Sequence, residues 1–540
     1  MMHSEIRFAR RGAAVALWAA TGCYLSHERP DAWCHLEAVE SVRRETVREV
    51  DRVDLLLMVD NSGSMAEEQA SLAEQIPRLV RALVTGDADD DGVVDFRPVQ
   101  DLHVGVITPD MGTGGHRVPT CHEPLFGDDG VLRTDAPVGR GCGPRYPSVL
   151  SYSPGVEPDA FARDVSCVAR RGTGGCGFEQ QLEAVLKALT PSSSPLRFQA
   201  GTRGHGDGAN AGFLRPDSLL AIVMLTDEED CSVADPELFA PFTTVYPGDM
   251  NLRCFLYPSA VHPIARYVDG LRALRADEPG LLLFAAITGV PVDLVDGVGD
   301  PPPETYDYFA RILADPRMQE RPDPSGMGLV PSCDVPGRGV AMPPRRIVAV
   351  ASALQTGLDG SGRSVPSGGA SHGIVQSICQ ADFTPVARAI VARIGQVLAV
   401  SCIERDLAPD IEGRVPCELH ELSDAPDCGV PGRQLVGRDS DGRTRCRVAQ
   451  LPVDADGRPS GGAGWYFDWT SDEVRRLCPP GRGQIAWAPG SRRPGVELRL
   501  YCQPDAIPCA GPGRACPAGS VCREDLGFCA DMECVDPTRP

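Results

Sequence analysis

The sequence predicts an α/β fold in which helices flank a doubly wound, mostly parallel sheet. Apolar runs typical of buried strands alternate with helical patterns between about residues 51 and 403, as such a fold requires. Three segments at the carboxyl ends of these strands, or in the loops beside them, also carry closely spaced polar side chains. Ligands of open parallel sheets bind at this edge. The sequence therefore predicts a sheet together with a binding edge.

The elements of this region follow one another without a break in the pattern. Apolar residues recur at helical spacing after the first strand, and the closing helix has Thr384 as N-cap with Pro385 at its first position. The predicted order is a strand at 54–59, a helix at 66–84, strands at 102–108 and 218–227, a helix at 259–276, strands at 281–288 and 346–354, and the closing helix; a further helix follows the glycine-rich turn at 172.

Asp60, Ser62 and Ser64 follow the first predicted strand in the pattern Asp-x-Ser-x-Ser. A carboxylate and two short hydroxyls suit Mg²⁺, a hard cation that takes oxygen ligands and keeps some of its waters. The same three residues are also compatible with a polar strand-to-helix turn in which Ser64 is the N-cap. Later segments of the chain favour the metal site.

Two later segments complete the pattern. Residues 172–189 form a glycine-rich turn that opens an amphipathic helix and contains Thr173, and the strand at 218–227 ends in Asp227. With the Asp-x-Ser-x-Ser loop, these segments resemble the metal-ion-dependent adhesion site of von Willebrand factor A (vWA) domains, the family that includes integrin I domains. Thr113, within a Gly-Thr-Gly sequence, is a rival for the threonine position.

The resemblance implies a division of roles at the site. Ser62, Ser64 and Thr173 would contact Mg²⁺ or Mn²⁺ directly or through water. Asp60 and Asp227 would supply negative charge, often through bridging waters, and one coordination position would stay open for a partner's carboxylate. Sites of this kind hold a ligand and perform no chemistry, so the chain is not expected to be an enzyme.

The N-terminus predicts export. Residues 1–22 combine a basic start with a short apolar core, and Ala20-Thr21-Gly22-Cys23 resembles a bacterial lipobox whose Cys23 becomes lipidated. An ordinary cleaved secretory signal is the alternative. Residues 23–50 are expected to be a tether, and lipid would be the only membrane attachment. This predicts a cell-envelope lipoprotein at the outer membrane or cell surface.

Charge and cysteine content agree with an exported protein. The net charge of −22 excludes nucleic acid as a partner class. The 21 cysteines are scattered without a Cys-x-x-Cys motif, which favours disulfides over a zinc ribbon or a thioredoxin-like site. If Cys23 carries lipid, 20 remain and can pair completely.

Three long loops distinguish this region from a minimal vWA domain, at about 112–170, 228–258 and 290–344. We expect local disulfides in them, Cys167 with Cys176 and Cys231 with Cys254. The Cys231 loop follows Asp227 directly, so it should border the metal site and help to set specificity.

The C-terminal third changes character. Residues 404–505 contain short strand-like runs between Gly/Pro turns and predict a small β-rich, disulfide-tied module. The aromatic cluster at 465–469 is compatible with a buried core strand, which we favour, or with a carbohydrate platform. Residues 506–540 resemble small EGF-like or knottin-like modules, and such small cores need disulfides to fold. The candidate cysteines in this tail are Cys509, Cys516, Cys522 and Cys529.

Two acidic segments have more than one interpretation. Asp87, Asp89, Asp91 and Asp95 match the front half of an EF-hand loop, but Pro98 stands where the bidentate Glu belongs. They predict either a shortened Ca²⁺ loop, as in thrombospondin-type repeats, or a solvated acidic turn. The run 228–230 is favoured as a solvated loop, and the alternative is that it enriches divalent cations near the metal site.

Residues 369–373 fit the Gly-x-Ser-x-Gly pattern of α/β-hydrolases, with Ser371 at the nucleophile position. That chemistry needs a strand directly before the Ser and a downstream His. Here Gly and Ser precede the motif and His420 is the only later His, so a flexible loop before the closing helix is favoured.

The sequence thus predicts an extracytoplasmic vWA protein that binds a protein or surface ligand through a divalent metal. Two alternatives stay open. One is a structural envelope protein with a vestigial metal site, and the other is a surface hydrolase whose vWA domain recruits substrate.

Overall fold

The structure is a computed structural model, and it describes most of the α/β region and much of the C-terminal third. The described residues are 43–46, 52–88, 91–96, 98–137, 141–216, 218–276, 278–295, 306–335, 339–355, 372–380, 382–398, 403, 407, 409–439, 442–454, 457–471, 474–475, 478, 482–488, 490–493, 496–502, 516, 520–523 and 528–531.

A six-stranded sheet forms the centre of the α/β region. Its strands are β2 (Arg52–Val59), β3 (Asp101–Ile107), β4 (Leu150–Tyr152), β5 (Leu219–Leu225), β6 (Leu282–Thr288) and β9 (His372–Ser377). They lie in the order β4-β3-β2-β5-β6-β9, and all neighbours are parallel except β3 and β4. Counted within the sheet, this is the doubly wound order 3-2-1-4-5-6, which confirms the predicted fold class.

Helices cover both faces of this sheet. They are α1 (Ala66–Thr85), α2 (Pro158–Ala169), α3 (Gln181–Leu189), α4 (Arg253–Leu256), α5 (Ile264–Ala273), α6 (Val292–Val295), α7 (Tyr306–Ala314), α8 (Arg345–Gln355) and α9 (Thr384–Leu398). Short 3-10 turns lie at Gln199–Gly201, Pro236–Phe239, Met250–Leu252, Pro258–Ala260, Pro279–Leu281 and Pro316–Met318.

Alternate residues of β2 belong to different cores, because successive strand side chains point to opposite faces. Leu55 and Leu57 pack in one core with α1, α2 and α9. Leu56 and Met58 pack in the other with α3, α5, α7 and α8. The strand is thus buried on both faces, as parallel sheets are.

The predicted strand at 346–354 is wrong, because these residues form helix α8. The sixth strand is β9, whose first residues lie at the end of the Gly-x-Ser-x-Gly segment that was expected to be a loop. Short apolar runs do not distinguish a buried helix from a buried strand by pattern alone. Ile347, Val348 and Val350 are fully buried, which explains the continuous apolar run.

The predicted loop at 112–170 is only partly irregular. It contains the edge strand β4 and the amphipathic helix α2, which packs against α1. The loop at 290–344 likewise contains α6, α7 and the short hairpin of β7 (Cys333–Val335) with β8 (Gly339–Ala341). These insertions therefore contribute strands and helices to the fold.

Seven disulfides join pairs of described cysteines. They are Cys121–Cys176, Cys142–Cys167, Cys231–Cys254, Cys333–Cys379, Cys417–Cys502, Cys428–Cys446 and Cys516–Cys529. The predicted Cys231–Cys254 bond is present. The predicted Cys167–Cys176 bond is wrong: Cys167 lies in α2 and Cys176 in the loop before α3, and each pairs with a cysteine of the 112–170 insertion.

The C-terminal region is β-rich, as predicted. Its main sheet has five antiparallel strands, and two small hairpins accompany it. The strands are β1 (Arg43–Thr46), β10 (Cys417–Ser423), β11 (Arg433–Arg438), β12 (Thr444–Val448), β13 (Trp465–Asp468), β14 (Gln484–Trp487), β15 (Glu497–Cys502), β16 (Ser520–Arg523) and β17 (Phe528–Asp531).

Two predictions for this region change in detail. Residues 43–46 were assigned to the tether, but β1 pairs with β15 at the edge of the five-stranded sheet. The aromatic cluster forms a core strand, since Trp465 and Phe467 are buried. Cys522 is disulfide-bonded, whereas Cys509 lies outside the described residues.

Among the described residues, none of the helices combines the length and the apolar character needed to cross a membrane.

Candidate metal centre

The predicted site lies where the strand order of the sheet reverses. Asp60 directly follows β2, and Asp227 comes two residues after β5, the neighbour of β2 in the sheet. The Asp60 amide donates to the Leu225 carbonyl over 3.0 Å, which ties the two strand ends together. Connections leave such strands toward opposite faces and open a crevice, which is the usual ligand position in this sheet class.

Asp60 is fully buried and held in a fixed orientation. One carboxylate oxygen accepts the Ser62 amide at 2.9 Å, and the other accepts the Thr226 hydroxyl at 2.6 Å. Thr226 in turn accepts the side-chain amide of Gln181 at 2.9 Å. Burial raises the pKa of Asp60, and these hydrogen bonds oppose the rise. The residue therefore supplies an oriented carboxylate.

The two serines of the loop lie together. The Ser62 and Ser64 hydroxyl oxygens are 3.3 Å apart. Ser62 is buried, whereas Ser64 is exposed, so the pair runs from the crevice to solvent. Two hydroxyls at this spacing can face one cation from the same side, as a metal site requires.

Asp227 is the least satisfied group of the site. The residue is 1% exposed, and neither carboxylate oxygen has a hydrogen-bond partner of ordinary geometry among the described residues. Burial raises its pKa to about 7, the charge of Asp60 adds to the rise, and the nearby Ser64 hydroxyl opposes it. A buried carboxylate without a partner is unfavourable unless a proton or a cation joins it.

Gln69, on the first turn of α1, fastens the loop that carries Thr173. Its side-chain amide donates to the carbonyls of Asp60 and Gly172, each at 2.6 Å, and its oxygen accepts the amides of Arg171 and Gly172 at 3.0 Å. The Gly175 amide also donates to the Asn61 carbonyl at 2.7 Å. Thr173 thus lies on an exposed loop, and hydrogen bonds on either side of it hold this loop to residues 60–69.

Thr113, the other candidate for the threonine position, makes hydrogen bonds within its own loop. Its hydroxyl donates to the carbonyls of His116 and Pro124, and the residue is fully buried. Both hydrogen bonds lie within the loop that follows β3. The contacts favour Thr173 as the threonine of the site.

Three further carboxyl groups surround the two aspartates. Burial raises the pKa of Glu68, of Glu179 and of Glu228, the last to about 8. The charge of Asp60 contributes to the rise in all three. One Glu68 carboxylate oxygen is buried without a hydrogen-bond partner among the described residues. The strand ends therefore concentrate negative charge that a cation would compensate.

The acidic run after Asp227 is not a solvated loop. Asp230 is fully buried; it accepts the Leu182 amide at 2.9 Å near the start of α3 and pairs with Arg346 at 3.0 Å. Glu229 accepts the Arg346 amide at 2.9 Å. Glu228 lines a cavity of about 140 Å³ together with the Cys231–Cys254 bond. The Cys231 loop thus borders the acidic edge of the site, as predicted.

The residues fit a divalent metal through a mixed donor set. No three His, Cys, Asp or Glu side chains of the described residues form a metal-holding group by themselves. A cation here would need the hydroxyls of Ser62, Ser64 and Thr173 beside the carboxylates, which is a hard-oxygen set. The unpartnered oxygens of Asp227 are the feature that such an ion would satisfy.

The sequence pattern did not single out Gln69, Glu68, Thr226 or Glu179. Thr226 directly precedes Asp227, and Gln69 lies one helical turn after Met65. Both residues lie next to the predicted motifs in the sequence. Their contacts, however, join segments more than 100 residues apart. Only the folded chain brings these residues together.

The acidic turn after α1 is closed by its own carboxylates. Asp87 accepts the Gly92 amide at 2.8 Å, Asp91 accepts the Val93 amide at 2.7 Å, and Asp95 accepts the Ala88 amide at 2.8 Å. Asp89 lies outside the described residues. Calcium binding by this turn stays a prediction.

The hydrolase pattern gains no support from its histidine. His420 contacts the Glu418 carboxylate at 3.0 Å and accepts from Arg445 at 2.8 Å, within the C-terminal sheet. Ser371 lies outside the described residues. The interactions of His420 are those of a buried ionic network.

Comparisons with known proteins add little beyond this geometry. No protein-family model matches the chain, and no curated protein matches it. Among solved structures, two of proximal thread matrix protein 1 from the mussel byssus are similar at 12% and 13% identity, one of them described as having a zinc-occupied MIDAS motif. Each match covers 45% of this chain and 39% of the mussel chain with a TM-score of 0.20. The vWA-like assignment therefore rests on the strand order and on the loops at the strand ends.

Proposed function

We propose that this chain is an exported protein that binds an acidic group of a protein or surface partner through a divalent metal, without catalysing a reaction. Asp60, Ser62, Ser64, Thr173 and Asp227 would hold the metal. The observation that carries the proposal is Asp227, a buried carboxylate with no hydrogen-bond partner among the described residues, beside two hydroxyls at the switch point of the sheet.

Electrostatics favour a cation at this position. Five acidic side chains, Asp60, Glu68, Glu179, Asp227 and Glu228, have pKa values raised mainly by burial, and Asp60 and Asp227 oppose each other's ionisation. A divalent ion removes this penalty. Hydroxyl and carboxylate oxygens favour Mg²⁺ or Mn²⁺ over ions that prefer sulfur or imidazole ligands.

The metal would also define the partner's chemistry. The chain carries a net charge of −22 and would repel an acidic partner. A bound divalent ion with an open coordination position creates a local positive site, and a carboxylate is the natural hard ligand for it. Partner binding should therefore require the metal and stop when a chelator removes it.

The compartment follows from the disulfides and the N-terminus. Many disulfides indicate an oxidising, extracytoplasmic compartment. Lipidation at Cys23 would hold the chain at the cell envelope. Cys23 itself lies outside the described residues.

Calorimetric titration of Mg²⁺ and Mn²⁺ into the full chain tests the metal site. We expect binding at roughly micromolar to millimolar concentrations, weakened at least tenfold by Asp227→Asn and abolished by Asp60→Ala. Glu67→Gln is the matched control, because Glu67 is exposed and adjacent to Glu68. Its binding should equal that of the wild type.

The outcomes separate the three functional hypotheses. Wild-type protein that binds neither metal would favour a structural protein with a vestigial site. Turnover of esterase or protease substrates would favour the hydrolase. Metal binding lost only in the site variants would support an adhesion-type site and justify a search for metal-dependent partners.

A further inference from the structure

The chain contains a single lysine, Lys187, among 52 basic Lys and Arg residues. It lies in α3, and its side chain is fully buried. Elsewhere the chain uses arginine for its positive charges, including in buried ion pairs such as Arg433–Glu421. The single lysine therefore indicates a role that the guanidinium group of an arginine could not perform.

The Lys187 amine is held directly against a carboxyl group. Its Nζ lies 2.5 Å from Oδ1 of Asp129 and donates to the Thr202 hydroxyl at 2.9 Å. The rings of Phe126 and Phe198 wall the amine, with centroids 5.6 and 5.7 Å away. The other Asp129 oxygen, Oδ2, is 2.9 Å from Nε2 of His205. An amine flanked by two aromatic rings, a partly exposed carboxyl group and an imidazole thus lie in sequence.

Hydrogen bonds to backbone carbonyls hold together the segments that carry Lys187, Asp129 and His205. The His205 amide donates to the carbonyl of Lys187 itself at 2.9 Å. Asn210 donates to the carbonyls of Gly130 and Ala188, which ties the Asp129 loop to the end of α3. Gly130 approaches the Ala184 carbonyl so closely that a Cβ atom there would clash. These interactions hold the segment that carries Asp129 next to the helix that carries Lys187.

Backbone strain is concentrated at the same place. Among the described residues, the non-glycine residues with left-handed backbone are Asp129, with φ of 57°, and Ala200, with φ of 53°. Ala200 lies in the turn whose Gln199 carbonyl accepts the Thr202 hydroxyl. Strained residues persist where the surrounding structure requires them, and they cluster at functional positions.

We propose that Lys187 and Asp129 form an intramolecular isopeptide bond. Transfer of one proton within the ion pair gives an amine and a carboxylic acid. The lone pair of Nζ then forms a bond to Cγ of Asp129. The bond from Cγ to Oδ2 breaks, and Oδ2 leaves as water after receiving two of the three original ammonium protons. No oxidant, reductant or cofactor is needed.

Each neighbour has a part in this reaction. His205 contacts the departing Oδ2 and can carry a proton to it, as a general acid–base group does. Thr202 orients the amine, and the short contact between Nζ and the Asp129 carboxyl group supplies the proximity that accelerates a reaction between the two groups. Arginine at position 187 could keep the ion pair but could not form the bond.

The product would fasten the loop after β3 to α3. Residues 129 and 187 are 58 positions apart, so the bond closes a long loop beside the Cys121–Cys176 disulfide. That disulfide is broken by reduction, whereas an amide is not. The loop bearing Asp110 and Thr113 would then stay attached to α3 under reducing conditions.

Peptide mapping of the full chain tests the proposal. After reduction and alkylation, trypsin should leave residues 118–133 joined to residues 172–197, with no cleavage after Lys187 and a mass one water below the sum of the two linear peptides. Wild-type protein that instead gives linear peptides, cut after Lys187, would overturn the proposal and leave an ion pair. This measurement does not require any variant to fold.

Two variants locate the chemistry. Lys187→Arg preserves the positive charge, and its intact mass should correspond to the linear chain. His205→Ala should still contain both reacting groups but form the bond more slowly, so that freshly folded protein is a mixture that converts with time. Equal, complete cross-linking in His205→Ala would exclude the imidazole from the reaction.

Discussion

At the scale of single residues, the buried carboxylates of Asp60 and Asp227 differ in their hydrogen bonding. Asp227 is as buried as Asp60, yet Asp60 accepts two hydrogen bonds and Asp227 accepts none of ordinary geometry from the described residues. In the absence of metal, its charge therefore opposes folding. The same charge becomes favourable when a divalent ion lies beside it.

Asp227→Asn should stabilise the metal-free protein. The substitution removes a buried charge whose pKa is raised to about 7, and we expect a gain of about 2–4 kcal/mol at pH 8 in the free energy of unfolding. Urea denaturation in the presence of a chelator measures it. Mg²⁺ should stabilise the wild type more than this variant; a less stable metal-free variant would contradict the electrostatic account.

The pH dependence of metal-free stability follows from the same groups. Burial raises the pKa of Asp227 from 3.8 to about 7 and that of Glu228 from 4.5 to about 8. Between about pH 4 and pH 8 the folded chain therefore binds more protons here than the unfolded chain. Stability from these groups is full below pH 4 and is lost as the pH rises through 7 to 8.

Melting temperatures with and without Mg²⁺ at pH 5 and pH 8 measure this effect, and Mg²⁺ should stabilise more at pH 8. Carboxylates such as Asp293, whose pKa is lowered by hydrogen bonds from Arg317, act in the opposite direction. The comparison with Asp227→Asn therefore isolates the site, because only the wild type should show the full loss. Parallel pH profiles for the two proteins would rule the effect out.

At the scale of elements, the site is assembled by helix α1. Its first turn places Gln69 between the end of β2 and the loop before α3, where it makes four hydrogen bonds to backbone groups. Thr173 itself lies on an exposed part of that loop. We therefore expect the position of Thr173 to depend on these contacts from α1.

Gln69→Ala should weaken Mg²⁺ binding roughly tenfold without removing a ligand, since several backbone hydrogen bonds that position Thr173 are lost. Isothermal titration measures the change. Gln75→Ala is the matched control, as it truncates the same side chain farther along the same helix, toward the cavity that α1 shares with α9. Equal affinities in both variants would mean that Thr173 is positioned independently of α1.

At the scale of the whole molecule, a doubly wound domain is combined with long insertions and a β-rich region. Disulfides cross-link residues within the insertions and within the β-rich region. The Cys121–Cys176 bond joins the insertion after β3 to the loop that carries Thr173, and Cys417–Cys502 joins two strands of the C-terminal sheet. Strand β1 from the expected tether pairs with β15 at the edge of that sheet, so residues 43–46 are a part of the fold.

Cys23→Ala should release the protein from the membrane fraction, because lipid at Cys23 is the proposed attachment. Fractionation of cells followed by detection of the full chain measures it. Cys34→Ala is the control, since it removes a cysteine from the same N-terminal segment without altering the lipobox-like sequence. Membrane association that survives Cys23→Ala would favour an ordinary cleaved signal and another mode of attachment.

The sequence by itself determined the fold class, most strands of the sheet and the residues at the strand ends, because apolar periodicity and short polar motifs are local properties. It determined the pair Cys231–Cys254, which lies within one insertion. It did not determine that residues 345–355 form a helix, since a helix buried against a sheet and a buried strand show the same continuous apolar run.

The tertiary structure alone decided what depends on distant segments. It paired Cys121 with Cys176, buried Asp230 against Arg346, and brought Gln69 to the Thr173 loop and Lys187 to Asp129. Disulfide partners, pKa shifts and unpartnered charges depend on which surfaces the chain closes upon, and sequence spacing does not specify those surfaces. The Asp-x-Ser-x-Ser pattern is thus a local property of the sequence, whereas the burial of Asp227 and its raised pKa arise only from folding.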